Sequence, residues 1–214
     1  MINPENRSLL LVVAVFVTAL LMGAIWKFLP QDSGPPQELL GVLRFEPRQL
    51  GTLEFIDHNE KLISEDIFNE KWSFVFFGYT SCPDVCPTTL QALQAVIVSI
   101  EKDKSDLLPD TQVIFISVDP ERDVVSNLHD YVNFYNRDFI GLTGSKENID
   151  NVVRQFGAGY MMEEADSSGQ YLVSHSSAIF LVAPDLRLVA AFSQPHIPKT
   201  IVAQYKAIRA YFSQ

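Results

Sequence analysis

The chain has 214 residues, 47% of them hydrophobic and 20% charged, and a net charge of −10. That length suits one packed domain, and an acidic surface repels phosphate backbones, so nucleic acid is excluded as a partner. Two cysteines, four histidines and no C-x-x-C pair argue against a structural zinc site.

The N-terminus comes first. Leu9 to Trp26, "LLLVVAVFVTALLMGAIW", carries no charge, and with Phe28 and Leu29 it is long enough to cross a bilayer as one helix. It is longer than the apolar part of a signal peptide and does not end in an A-x-A-like site, so it reads as an uncleaved anchor. It is neither amphipathic nor Arg-rich, which argues against a mitochondrial transit peptide. A single N-terminal anchor ahead of a large domain places that domain outside the cytoplasm. The expected location is the bacterial inner membrane, with the domain facing the periplasm, where disulfides can form. Residues 1–29 are thus the expected anchor, 30–43 a tether containing "PQDSGPPQE", and 44–214 the folded domain. The first 29 residues carry only Glu5, Arg7 and Lys27, so the acidic excess lies in the domain.

Within the domain, "GTLEFID" alternates like a short strand, and "ISEDIF" has a helix cap at Ser64. Trp72–Phe77 is a continuous apolar run, the pattern of a strand buried on both faces. "GYTSCPDVCPTT" follows, then a helical pattern with Pro87 in its first turn. Thr111–Asp119 reads as a second buried strand. "VVSNLHDYVNFYN" and "SKENIDNVVRQFG" read as helices, the latter capped by Ser145 and stopped by Gly157. "SSAIFLVAPDLRLVAAF" reads as a hairpin turning at Pro184-Asp185, and "IPKTIVAQYKAIRAYF" as a closing helix. The order predicts an α/β sandwich with a mixed sheet.

Cys82 and Cys86 admit three readings. A disulfide between them closes a very short loop, worth roughly 2 kcal/mol, which a domain of this size does not need. A redox pair fits the strand-to-helix position, where a helix N-terminus lowers a thiol's pKa; Cys86, next to the helix start, should feel this most. The spacing exceeds the C-x-x-C of thioredoxins by one residue and leaves room for an ion between the sulfurs. Two thiolates are soft donors that suit Cu(I). A third ligand has four candidates. His129 falls on a polar helix face, His58 in the turn "IDHNEK" and His196 in the loop "SQPHIPK"; each reads first as an ordinary surface residue. His175, in "YLVSHSSAIFLV", lies where a buried sheet meets a loop.

Three segments together, "FFGYTSCPDVCPTTL", "ISVDPERD" and "VSHSSAIFLVAPD", resemble the Sco family, also called SenC or PrrC: membrane-anchored, thioredoxin-fold copper chaperones for cytochrome c oxidase assembly. The resemblance runs from about residue 45 to the C-terminus. It implies a thioredoxin-like α/β fold, copper held by Cys82, Cys86 and His175, and Asp119 near the site. It implies as partners an upstream copper donor, a thiol–disulfide reductant and, as recipient of the ion, the dinuclear copper centre of oxidase subunit II. Two features depart from the pattern. Ser174 stands where many relatives have an acidic residue before the histidine, and "DHNEK" replaces the usual D-x-x-G-K turn. The alternative function is a thiol–disulfide reductase that uses the same cysteines and carries no copper. A thiol peroxidase is disfavoured, because Pro83 stands where peroxiredoxins place an activating threonine.

Overall fold

The computed structural model describes residues 13–23, 34–103 and 106–213. The chain divides into two units, Met1–Pro36 and Gln37–Gln214. In the first, residues 13–23 are helical with exposed side chains. The rest of the expected Leu9–Leu29 span lies outside the described residues, and no helix among the described residues is long and apolar enough to cross a membrane.

The described residues of the second unit form ten strands and four α-helices. Strands β1 (Leu43–Gln49), β2 (Glu54–Asp57) and β3 (Leu62–Ser64) come first. Ser64 does cap a helix, but a short 3-10 turn, Glu65–Phe68, accepting from the Asp66 N–H at 3.3 Å. Every residue of β4 (Trp72–Gly78) is buried, as the unbroken apolar run requires. Helix α1 (Val85–Lys102) follows the cysteine loop and leads to β5 (Thr111–Ser117). Helix α2 (Val125–Tyr135), strand β6 (Ile140–Thr143) and helix α3 (Lys146–Phe156) come next; α3 is capped by Ser145 and ends at Gly157 with φ 65°. The chain closes with β7 (Tyr160–Met162), β8 (Val173–His175), β9 (Ile179–Val182), β10 (Arg187–Phe192) and α4 (Pro198–Phe212).

Eight strands form one mixed sheet in the order β1-β10-β9-β4-β5-β6-β2-β3, and β7 pairs with β8 in a separate ribbon. β4 lies at the centre, parallel to β5 and antiparallel to β9. Its alternate side chains face two helical layers. Phe74 meets Tyr205 of α4 at 4.9 Å between ring centroids, and Phe115 of β5 meets Tyr131 of α2 at 5.5 Å. On the opposite face, Phe77 meets Phe156 of α3 at 5.3 Å. This is the expected α/β sandwich with a mixed sheet. Sequence reasoning missed β3, β6 and the β7–β8 ribbon, whose strands are only three or four residues long.

Candidate metal centre

The cysteine loop leaves the end of β4, where a parallel strand gives way to a helix. Such strand ends gather reactive groups in open α/β sheets. Register brings the histidine there. Because β9 runs antiparallel to β4 with Ile179 opposite Phe76, the residues just before Ile179 emerge beyond Gly78. His175 therefore arrives over the cysteines from 89 residues away in sequence. One ligand atom each from Cys82, Cys86 and His175 lies within 4.8 Å of the others, the one such group of three among the described residues.

His175 is oriented by its own backbone. Nδ1 stands 3.0 Å from the Ser176 carbonyl, which can only accept, so Nδ1 carries the proton and Nε2 presents its lone pair. Nε2 lies 3.4 Å from the Cys86 Sγ. The ring also stands edge-on to Tyr79, 6.0 Å between centroids, and to Phe76 at 5.8 Å. Among the described residues no carboxylate is hydrogen-bonded to the ring; Ser174, just before it, donates to Glu163 at 2.7 Å.

The two thiols differ sharply. Asp84 stands at the N-cap of α1 but makes no side-chain cap; the Cys86 N–H is directed instead at the Cys82 sulfur, 3.4 Å away. A thiolate there fills the role of an N-cap and meets the positive end of the helix. The Cys82 pKa is accordingly held down to about 4, first by hydrogen bonding from the Cys86 thiol, with burial opposing and the N–H groups of Cys86 and Asp84 assisting. Cys86 is fully buried and is pushed upward, first by surrendering the anionic role to Cys82 and then by burial. This corrects the expectation that Cys86 would feel the helix most: it is Cys82 that ionises. The Cys86 thiol thus has two acceptors within reach, the Cys82 thiolate and His175 Nε2.

The donor set fits a soft ion. Two sulfurs and one imidazole nitrogen at bond lengths of about 2.0–2.3 Å would stand roughly 3.5–4 Å apart, close to the observed spread, in which Cys86 Sγ and His175 Nε2 are 3.4 Å apart and no pair exceeds 4.8 Å. Two thiolates select Cu(I), while the imidazole also accommodates Cu(II). The site opens into a shallow pocket lined by Tyr79, Pro83, Glu163 and Leu172.

Asp119 lies behind this group and makes no hydrogen bond to the cysteines or to His175. It is fully buried, paired with Arg122 and accepting from the Tyr171 hydroxyl at 2.9 Å. Arg122 also donates to the Tyr171 carbonyl at 2.8 Å, and its guanidinium lies over the Tyr171 ring at 3.6 Å and 5.4 Å from that of Tyr79. The Asp119–Arg122–Tyr171 latch thus fastens the ribbon that ends in His175 to the end of β5. Sequence reasoning missed Asp123, the last residue of "DPERD". Its buried carboxylate accepts from the Thr80 hydroxyl and N–H and from Ser117, pinning the cysteine loop; burial pushes its pKa up.

The other histidines have different places. His58 is not simply solvated: Nδ1 accepts the Gly141 N–H at 3.0 Å, and its ring stands 5.3 Å from that of His129. His129 is half-buried rather than on an exposed face. His196 is half-buried against α1, between the Thr89 hydroxyl and the Phe192 carbonyl, both at 3.3 Å. None of the three joins the cluster of Cys82, Cys86 and His175.

A family model described as SCO1/SenC matches residues 43–210. The chain is 37% identical over 163 residues to "Protein SCO1 homolog 1, mitochondrial" of Arabidopsis thaliana, a match covering 75% of this chain and 47% of that protein. It is 35% identical to "Protein SCO2 homolog, mitochondrial" of Bos taurus, covering 86% of this chain and 68% of the relative. Among solved structures, that of Arabidopsis thaliana ScoI with copper bound is similar, with a TM-score of 0.69 and 38% identity over 75% of this chain and 98% of the other.

Proposed function

The chain belongs to the SCO1/SenC family, and from that premise we propose that it is a copper carrier whose cargo is held by Cys82, Cys86 and His175. The observation that carries this reading is the convergence of two sulfurs and one oriented imidazole nitrogen within 4.8 Å. A solved relative at 38% identity contains copper, which supports the choice of ion. Loading would replace the Cys86 thiol proton, so the site exchanges one cation for another at little structural cost. The recipient in this reading is the dinuclear copper centre of cytochrome c oxidase subunit II. The apolar, exposed helix at residues 13–23 suits a lipid surrounding, which is in keeping with an anchored protein; the periplasmic side belongs to the same reading.

The test is a copper titration of the reduced full chain. One ion per chain, with sulfur and nitrogen neighbours in X-ray absorption, is the expected result. Failure to bind Cu(I) against a competing chelator would remove the reading.

The asymmetry of the two thiols favours a second activity on the same residues. With its pKa near 4, Cys82 is a thiolate at neutral pH. It can attack one sulfur of a recipient disulfide, releasing the other as a thiolate. Cys86, after losing its proton, then attacks Cys82 to close the Cys82–Cys86 disulfide and free a reduced recipient pair. Reduction of a recipient's cysteines and delivery of copper to them are compatible steps at one site.

A further inference from the structure

We propose that Gly78 is a positioning residue for the metal centre: the absence of a side chain at the end of β4 sets the depth at which the Cys86 sulfur sits. The inference rests on the copper-carrier reading above. Gly78 pairs with Ser117, and its carbonyl accepts the Val118 N–H at 2.8 Å. Its backbone does not demand glycine, since the glycines with positive φ are Gly157 and Gly169. Space demands it. A Cβ at this position would stand 2.6 Å from the Cys86 Sγ and 2.8 Å from the Phe115 Cε2. Ordinary contact needs about 3.5–4 Å.

Neither neighbour can give way freely. Phe115 is fully buried and packs on Phe76 and Tyr131. Cys86 is fully buried on the first turn of α1. The direction left to its sulfur is outward, toward Cys82 and His175 Nε2, which already stands 3.4 Å away. A methyl group at residue 78 would therefore move the sulfur by about an ångström into the space an ion needs. Glycine keeps the sulfur recessed, so the cargo would lie on the floor of the site.

The two crowded neighbours allow a test that separates positioning from packing. In the full chain, Gly78→Ala, Phe115→Leu and the double variant are compared by urea denaturation, by Cu(I) competition and by the thiolate-to-Cu(II) charge-transfer band. Phe115→Leu should lose stability and keep the wild-type band. Gly78→Ala should shift the band and weaken Cu(I) by about tenfold or more. The double variant, with room made for the methyl, should regain part of the stability that Gly78→Ala loses but not the wild-type spectrum. A wild-type spectrum and affinity in either variant carrying Gly78→Ala would overturn the proposal. Thiol alkylation in the metal-free chain is a readout without copper. On a Cys82→Ser background, Gly78→Ala should make Cys86 react several-fold faster, about the change expected of a thiol lifted from burial; an unchanged rate would equally overturn it. If the wild type itself binds no copper, the carrier reading falls and alkylation still decides the position of the sulfur.

Discussion

Cys82 and Cys86 stand on the β4–α1 junction, where every residue of β4 is buried and Asp123 ties the loop to β5 through Thr80. His175 stands at the end of a ribbon in which, of residues 160–175, only Val173 is buried. The first half of the donor set is fixed by the core of the domain. The second is held by a few polar contacts: the Arg122 latch, Tyr160 donating to Asp150 at 2.6 Å and Gly159 joined to Ser176. Buried apolar packing opens only with global unfolding, whereas exposed ribbons open locally and often. A carrier built this way keeps its thiolates in fixed register while its nitrogen ligand can move.

The largest expected effect lies in the cysteine half. Cys82→Ala and Cys86→Ala should each lower Cu(I) affinity by more than the roughly 100-fold that loss of an outer partner costs, because one thiolate and one imidazole make a poor site for a soft ion. Competition with a Cu(I) chelator measures this, and wild-type affinity in both variants would detach the pair from the centre.

Next comes His175→Ala. Cu(I) affinity should stay within about tenfold of wild type, since two thiolates can hold a soft ion, while Cu(II) binding falls much further. Cycling between dithiol and disulfide should persist in this variant. Cells carrying it should lose oxidase activity if copper delivery is the task. Full oxidase assembly at limiting copper would instead favour thiol reduction as the working role.

Arg122→Ala should act on the histidine half alone. Amide exchange should quicken across residues 160–175, and Cu(II) affinity should fall by about tenfold, while Cu(I) affinity changes less. Equal losses for both oxidation states would mean that the latch supports the cysteines as well.

The smallest effect concerns the support of α1. Burial lowers the pKa of His196, whose Nε2–H donates to the Phe192 carbonyl while Nδ1 accepts from Thr89. A histidine with a depressed folded pKa binds fewer protons folded than unfolded. Its contribution is therefore complete above the ordinary value near 6.5 and is lost as the pH falls below it. Urea midpoints at pH 7.5 and 5.5 should differ in the wild type, and the difference should shrink in His196→Gln. His58, also depressed by burial and accepting the Gly141 N–H, adds in the same direction.

The legibility of the sequence follows the same division. The β4 run, the helix opening at Val85–Pro87, the Ser145 cap and the Gly157 stop are local signals, and each marks an element at its place. The cysteine half is therefore readable from one short segment. The meeting with His175 is not, because it depends on the antiparallel register of β9 on β4, a contact between distant segments. Family resemblance supplied that pairing where periodicity could not. The ribbon β7–β8 escaped notice because two three-residue strands with a single buried side chain, Val173, are too short to show alternation. Asp119 was legible as a residue but not in its role: it acts on the ribbon through Arg122 and Tyr171. His196 read as a loop residue because its burial is created by α1 from elsewhere in the chain.

The Ser176 carbonyl that orients His175 has a kinetic consequence. A carboxylate behind an imidazole makes it a stronger base and a tighter metal ligand; a neutral carbonyl does so less. With Ser174 committed to Glu163, the nitrogen is the least firmly held donor on both counts, electronic and mechanical. If the site carries copper as proposed, departure of the cargo would have a fixed order: an incoming ligand would displace the imidazole first, at the open rim of the pocket, and the Cys86 sulfur would let go last.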